Sequence, residues 1–412
     1  MILLSHPFGN ANVRAVLNAL QESELLARYV TALGWSDRAR WSQLLPERMR
    51  AKLARRAYTI SPAKMQLQPA REIVRLLAGD SRLAKQLVKH ERGWASIDQV
   101  WRSVDRAAAG YLRAHSAAEN IRGVYAYEDC ARESFRVARE LGARRIYDLP
   151  IAYYATAQKL LREEAARYPD WEPTLGGTRD SAEKLARKAE ELELAELVVC
   201  PSAFVLESLP EQTRVAKRCI VAPFGSPSVI PAEQAEREGP LRVLFAGSMT
   251  QRKGLADLFT AMKLINRADV ELIVMGSLLR PLDWYRERCM RFTYEPPRPH
   301  AEVLRLMASC DVFVLPSIVE GRALVQQEAM ACGLPLIATK NAGGDDLVTE
   351  GETGFLVPIR SPERLAEKIS WCGDNREAMS GMGIAAQRRA AELTWGDYGE
   401  KVLAAIRSVT GE

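Results

Sequence analysis

Several chemistries are missing from this chain. Seven cysteines stand at 130, 200, 219, 289, 310, 332 and 372, and no two are spaced C-x-x-C. A scattered, odd set in 412 residues excludes a disulfide framework and suits a reducing compartment. No two aspartates stand at i, i+2, and the four histidines (6, 90, 115, 300) form neither H-E-x-x-H nor an i, i+4 pair. No metal site is therefore expected, and no G-x-x-x-x-G-K-[ST] phosphate loop occurs. No apolar run nears the roughly 18 residues of a membrane-spanning helix. The opening MILLSHPFGN has no basic n-region, so it is not expected to be a secretory signal. Charge of one sign is also missing: 57 basic against 52 acidic residues give +5, too little for a dedicated nucleic-acid binder. At 47% hydrophobic and 26% charged the chain is globular, and its length suits two domains.

The near-neutral total hides an asymmetry. Residues 1–220 carry 35 Lys+Arg and 27 Asp+Glu, whereas the remainder carries 22 and 25. Residues 38–113 alone hold 17 basic and 6 acidic side chains. Trp41, Leu44, Leu45 and Met49 are spaced for one helical face. This stretch, about 38–118, reads as a helical insertion with one apolar stripe and one basic face. A solvated face explains it as well as a surface for an anionic lipid or an anionic acceptor.

Elsewhere short apolar strands alternate with helical stretches, which predicts βαβ units and a parallel sheet. The first block has expected strands at Ile2–Ser5, Arg28–Leu33, Val124–Tyr127, Arg145–Asp148, Leu197–Cys200 and Cys219–Ala222. The Pro/Gly-rich stretch 223–240 reads as a linker. Alternation restarts at Leu241–Ala246, with further strands at Glu271–Met275, Arg291–Tyr294, Val312–Leu315 and Pro335–Thr339. The domains are thus 1–222 and 241–393, followed by an amphipathic helix in 394–412 expected to pack back on the first domain.

Two segments of the second block carry candidate chemistry. In LRVLFAGSMTQRKGL a strand ends at Gly247 and a helix opens near Leu255, so Arg252 and Lys253 fall on the crevice rim, with Gly254 opening the helix. Two cations beside a helix N-terminus suit a phosphate dianion, although a solvated Arg-Lys pair would look the same. In DVFVLPSIVEGRALVQQEAMACGLPLIAT, Glu320 follows a strand and a helix starts at Ala323–Leu324. The amides of Gly321, Arg322, Ala323 and Leu324 are expected to face the crevice. Glu328 lies one turn beyond Leu324 and can reach the same space, though ordinary helix surface would also accommodate it. Cations and amides take phosphate, and carboxylates take hydroxyls. A ligand with a diphosphate between two hydroxyl-rich groups, such as a sugar nucleotide, fits.

These residues carry a resemblance. LFAGSMTQRKGL, PS-x-x-E-G, the Glu320/Glu328 E-x7-E pair, EAMACGLPLIAT, NAGG and EGETGFLVP resemble a family-4 retaining glycosyltransferase of the GT-B fold. LAELVVCPSAFVLESL and IVAPFGSP resemble the end of that family's first domain. The resemblance implies an α/β, GT-B architecture of two Rossmann-like domains facing across a cleft. It implies that Arg252 and Lys253 grip the donor diphosphate and steady the leaving group. Glu320 would meet donor-sugar hydroxyls near the reacting carbon, and Glu328 the ribose. Gly321 to Val325 would lend amides, Gly276 would lie beside the nucleotide, and the base would dock near Tyr294–Arg298. No cofactor or metal is implied. The partners would be a nucleotide-sugar donor and a glycan or lipid-linked acceptor, with no nucleic acid. The place would be the cytoplasm, with the inner face of the membrane as a peripheral site.

The chain also departs from the family. Arg322 stands where an aromatic is common, and is expected either to contact phosphate or sugar or to point outward. HPFGNAN has one glycine, Gly9, where relatives often have two. Where the family places an acceptor-side histidine, RRIYDLP offers Asp148, which would position the acceptor hydroxyl or serve only as a loop-end cap. Glu128 and Asp129 stand at another strand end. Two other functions remain open on these residues: a catalytically silent nucleotide-sugar-binding scaffold, and another GT-B enzyme such as a sugar-nucleotide epimerase.

Overall fold

A computed structural model describes residues 1–36, 56–79, 81–228 and 239–411. The stripe of Trp41, Leu44, Leu45 and Met49 and most of the linker expected at 223–240 lie outside the described residues. Each half is an open parallel sheet. The first contains β1 (Ile2–Ser5), β2 (Leu26–Thr31), β3 (Met65–Leu67), β4 (Gly123–Tyr127), β5 (Arg144–Asp148), β6 (Leu197–Cys200) and β7 (Arg218–Val221). Their order is β3-β2-β1-β4-β5-β6-β7. The second contains β8 (Leu241–Ala246), β9 (Val270–Met275), β10 (Thr293–Glu295), β11 (Val312–Leu315), β12 (Leu336–Ala338) and β13 (Gly354–Leu356), in the order β10-β9-β8-β11-β12-β13. β1, β4 and β11 are buried along their whole length, as continuous apolar runs in a sheet covered on both faces must be. This is the expected architecture of two Rossmann-like domains.

One expectation needs correction. The stretch 38–118 is not a purely helical insertion. Ala57–Tyr58 pairs with Trp35–Ser36, and β3 adds an edge strand beside β2. Three residues, MQL, are too few to show an alternation of period two, so this strand carried no sequence signal.

The helices used below are α1 (Ala11–Glu22), α2 (Pro69–Leu77), α3 (Ile97–His115), α4 (Tyr154–Arg167), α5 (Ala182–Leu194), α6 (Leu255–Ile265), α7 (Leu324–Ala331) and α8 (Trp395–Thr410). The last of these crosses back to the first sheet. Tyr398, Val402, Leu403, Ala405 and Ile406 share a core with Ile2, Leu4, Val13 and Val16. Gly399 permits the close approach, because a Cβ there would stand 3.2 Å from the Ala15 carbonyl oxygen and from the Ala19 Cβ. The chain passes between domains at Phe224 as well, whose ring stacks on Trp395 and meets Tyr398 edge-on.

Asp148 belongs to this same region and not to the cleft. It ends β5 only 1% exposed, and its Oδ2 accepts hydrogen bonds from the hydroxyls of Tyr125 (2.6 Å) and Tyr398 (3.3 Å). The expectation that it meets an acceptor hydroxyl is therefore corrected: its strand register turns it toward the packed face under α8. Burial pushes its carboxyl up to about 7, against hydrogen bonds from Tyr125, Tyr398 and Tyr127 that pull it back down. Between the ordinary value of 3.8 and about 7 the folded state holds a proton that the unfolded chain has released. This contribution to stability therefore falls as pH rises through that window. Asp148→Asn keeps an acceptor for both tyrosines and removes the titration. Urea melts should show the variant more stable than the parent at pH 8, by up to about 4 kcal/mol, with the difference vanishing near pH 4. A difference that does not change with pH would refute the assignment.

Candidate functional site

The site lies where loops at the carboxyl ends of both sheets meet. After β8 the chain turns at Gly247, whose φ of 150° lies outside the range side chains favour. A Cβ at Gly247 would stand 2.8 Å from Lys253 Cδ, so the glycine leaves room for the lysine stem to cross it. A Cβ at Gly276, at the end of β9, would stand 1.7 Å from the Gly247 carbonyl oxygen. Both glycines hold two loop backbones in contact, and Tyr294 donates its hydroxyl proton to the Gly276 carbonyl at 3.1 Å. Thr250 caps a single 3-10 turn, Gln251–Lys253, by accepting from the Arg252 amide. That turn ends at Gly254 in the left-handed region (φ 73°), and α6 begins.

The turn aims both cations at one carboxylate. Lys253 Nζ lies 2.6 Å and Arg252 NH1 2.8 Å from Glu320 Oε1. Burial would raise the Glu320 carboxyl, but Lys253 and Arg252 hold it below its ordinary value. Burial lowers the Lys253 ammonium, opposed by Glu320 and aided by Arg252. Arg252 is fixed from two directions: its guanidinium donates to the Val319 carbonyl at 2.8 Å, and its own carbonyl accepts from Ile318 at 2.9 Å.

Glu320 and its neighbours are wedged against the first domain. Ser202 Oγ donates to the Gly321 carbonyl at 2.7 Å, and a Cβ at Gly321 would stand 1.8 Å from the Pro150 carbonyl oxygen. Gln327, inside α7, donates to the Phe224 carbonyl at 2.7 Å. Among the described residues the amides of Gly321, Arg322, Leu324 and Val325 have no acceptor, as is common for amides at a helix start. The Ala323 amide is the exception, reaching the Ala342 carbonyl at 3.5 Å.

The remaining expected residues divide. Glu328 stands on α7 with His300 Nε2 3.0 Å away, and His300 follows the expected base-docking stretch Tyr294–Arg298 by two residues. Arg322 does not point outward. Its guanidinium is buried, paired with Asp346 at 2.8 Å and donating to Gln327 and the Pro201 carbonyl. These partners brace the loop and rule out the outward-pointing alternative. Glu128 pairs with Lys188 at 3.1 Å and Asp129 with Arg187 at 2.7 Å, both on α5. One described cluster, His90, Glu91 and Asp180, has spacing for a metal, but Lys184 Nζ already lies 3.0 Å from Asp180.

Sequence reasoning missed a polar lock beneath the cation turn. Gln251 Nε2 donates to Glu164 on α4 at 2.7 Å and to Asp257 on α6 at 3.0 Å. Arg167 pairs with Asp257 at 2.7 Å, and Arg360 pairs with both Glu163 and Glu164. Thr250 donates to the Thr174 carbonyl at 2.7 Å. Only the adjacency of Gln251 to Arg252 hinted at this.

Residues 228–389 match the model of the family described as glycosyl transferases group 1. This segment contains the second sheet, β8 to β13, together with Arg252, Lys253, Glu320 and Glu328. The D-inositol 3-phosphate glycosyltransferase of Paenarthrobacter aurescens is 29% identical over 170 residues, covering 39% of this chain and 42% of that protein. An uncharacterised glycosyltransferase of Methanocaldococcus jannaschii is 28% identical over 218 residues, covering 52% of this chain and 59% of its own. The chain thus spans about half the length of these curated relatives. Among solved structures, sucrose-phosphate synthase of Thermosynechococcus elongatus aligns with TM-score 0.65 at 18% identity, covering 100% of this chain and 99% of its own. Anabaena HepE, solved in complex with UDP, aligns with TM-score 0.61 at 16% identity, covering 99% of each. At these identities the likeness concerns the fold, which is GT-B.

Proposed function

We propose that the protein is a retaining, metal-independent glycosyltransferase of the family-4 type with an E-x7-E pair. It would move a sugar from a nucleotide-diphosphate sugar to an acceptor hydroxyl, in the synthesis of a cell-surface glycan, glycolipid or related glycoconjugate. The observation that carries the reading is the convergence of Lys253 and Arg252 on Glu320 beside four amides without acceptors. In the free protein the cations and the carboxylate satisfy one another. A donor diphosphate competes for Arg252, Lys253 and the amides at the start of α7, which releases Glu320 toward hydroxyls of the donor sugar. Glu328 would take the ribose hydroxyls.

Bond cleavage between the anomeric carbon and the diphosphate oxygen moves charge onto the phosphate. Fixed cations and amides stabilise that charge without reorganising, and such preorganisation is usually the largest catalytic effect. The acceptor oxygen then bonds to the same face of the anomeric carbon, and its proton passes to the departing phosphate oxygen. Atoms balance without an enzymic nucleophile. The names of the relatives and the UDP bound to HepE support a nucleotide-sugar donor.

A thermal-shift screen of UDP-, GDP- and ADP-sugars should show stabilisation by one nucleotide class, since a ligand bound only by the folded state raises the melting point. With that donor and an acceptor, NMR of the product should show the donor's anomeric configuration, unchanged by EDTA. Inversion, or loss of turnover with EDTA, would sink the corresponding part. Donor binding without release of nucleoside diphosphate would favour a silent scaffold, and an epimerised donor formed without acceptor would favour an epimerase.

A further inference from the structure

Helix α2 wears its polarity inside out. Of its nine residues the only buried one is Glu72, which is ion-paired to Arg56 at 2.5 Å and to Arg75 at 2.7 Å. The apolar side chains Ile73, Leu76 and Leu77 occupy one helical face and point outward, Leu77 being 79% exposed. Six of the thirteen large apolar side chains exposed among the described residues fall between 67 and 97: Leu67, Ile73, Leu76, Leu77, Trp94 and Ile97. Arg71 binds α2 to the Trp94 loop, its guanidinium lying 4.7 Å over the indole and donating to the Trp94 carbonyl. Elsewhere such side chains are scattered and need no explanation, but a concentration of this kind on one element does.

Charge tells what should cover it. Residues 64–97 carry seven Lys+Arg and three Asp+Glu. Of the two described acids, Glu72 is buried and Glu91 accepts from the Ser181 amide, whereas Lys85, Lys89 and Arg92 are exposed. We infer that the outer face of α2 and the Trp94 loop dock on an anionic lipid bilayer. Protruding aliphatics enter the acyl boundary, Trp94 sits at the headgroup level, and the cations meet lipid phosphates. No described helix is long and apolar enough to cross the membrane, so the contact is a surface one.

The face also lies next to the cleft. Arg56 and Arg75, which hold Glu72, stand 5.8 Å and 5.9 Å from the Phe8 ring centroid, in the loop that leaves the carboxyl end of β1. A docked bilayer therefore adjoins the first domain's side of the cleft, where an acceptor carried in lipid could enter. The docking itself does not depend on the transfer reading.

The test is co-sedimentation of the full chain with vesicles of equal parts phosphatidylcholine and phosphatidylglycerol, compared with phosphatidylcholine alone. Binding should favour the anionic vesicles and weaken with salt. Leu76→Ser with Leu77→Ser should lower partition about tenfold or more, as loss of two inserted side chains requires. Lys89→Glu with Arg92→Glu should abolish the preference for anionic lipid. All four side chains are exposed, so donor-induced thermal shifts should be unchanged and serve as the control for folding. Absence of binding at low salt, or binding indifferent to the leucine changes, would overturn the inference. So would a dimer in sedimentation velocity that the leucine changes dissociate, since a second copy would then be the occupant. Unchanged donor shifts beside any of these failures would leave the transfer reading standing.

Discussion

Lys253→Ala is expected to lower kcat by about 10²–10³-fold, the usual cost of removing one preorganised donor to developing negative charge. Lys253 is 9% exposed and reaches across Gly247 to Glu320, so no solvent cation can take its place. The fold should survive, because Glu320 keeps Arg252 at 2.8 Å and is not left as an unpaired buried charge. Lys253→Met, which keeps the stem over Gly247, should lose as much activity as the alanine variant; that outcome separates charge from packing. Glu320→Ala should fall comparably by losing its hold on the donor sugar. Steady-state kinetics with matched melting curves decide the matter: near-normal turnover in both Lys253→Ala and Glu320→Ala means the site is wrong.

Trp171→Ala should have the largest effect on stability. Trp171 belongs to the first domain by sequence, in the turn Pro169–Thr174 after α4, yet it is buried in the second domain's core. Its ring centroid lies 4.9 Å from Trp284, 5.8 Å from Tyr285 and 6.0 Å from Phe259. Truncating such a side chain costs about 3–5 kcal/mol. The loss falls on the pairing of the domains as well as on the second core. Thr174, three residues on, accepts from Thr250 beside the cation turn. Donor affinity should therefore drop along with melting temperature, and small-angle scattering should show a more extended particle. An unchanged melting curve would mean that the tryptophan fills no essential space.

Much of the second domain was legible in the residues. β8 and β11 run with the bounds their apolar stretches predict, and α6 and α7 begin at the expected Leu255 and Leu324. Local rules suffice there: a buried strand, a glycine turn and a helix start are written in consecutive positions. Arg252, Lys253 and Glu320 came from such local readings, although 67 residues separate the lysine from the glutamate. The first domain was less legible. The resemblance offers Asp148 an acceptor-side role, with a loop-end cap as the alternative, but which side of the sheet it faces depends on register and on α8, some 250 residues later. Arg322 reads as either a ligand contact or an outward side chain because no local rule forecasts Asp346 and the Pro201 carbonyl as its partners.

The sequence by itself determined two parallel α/β units and a cation-carboxylate-helix constellation in the second. It also located the positive charge of the first half in the stretch from 38 to 113. Periodicity, glycine turns and composition act over a few residues and can be read there. Only the tertiary structure decided that Trp171 crosses into the other core and that Asp148 lies beneath α8. It alone turned Glu72 inward and Leu77 outward. Each of these is settled by which distant surface excludes water from the side chain, and that cannot be read from a residue's neighbours in the chain.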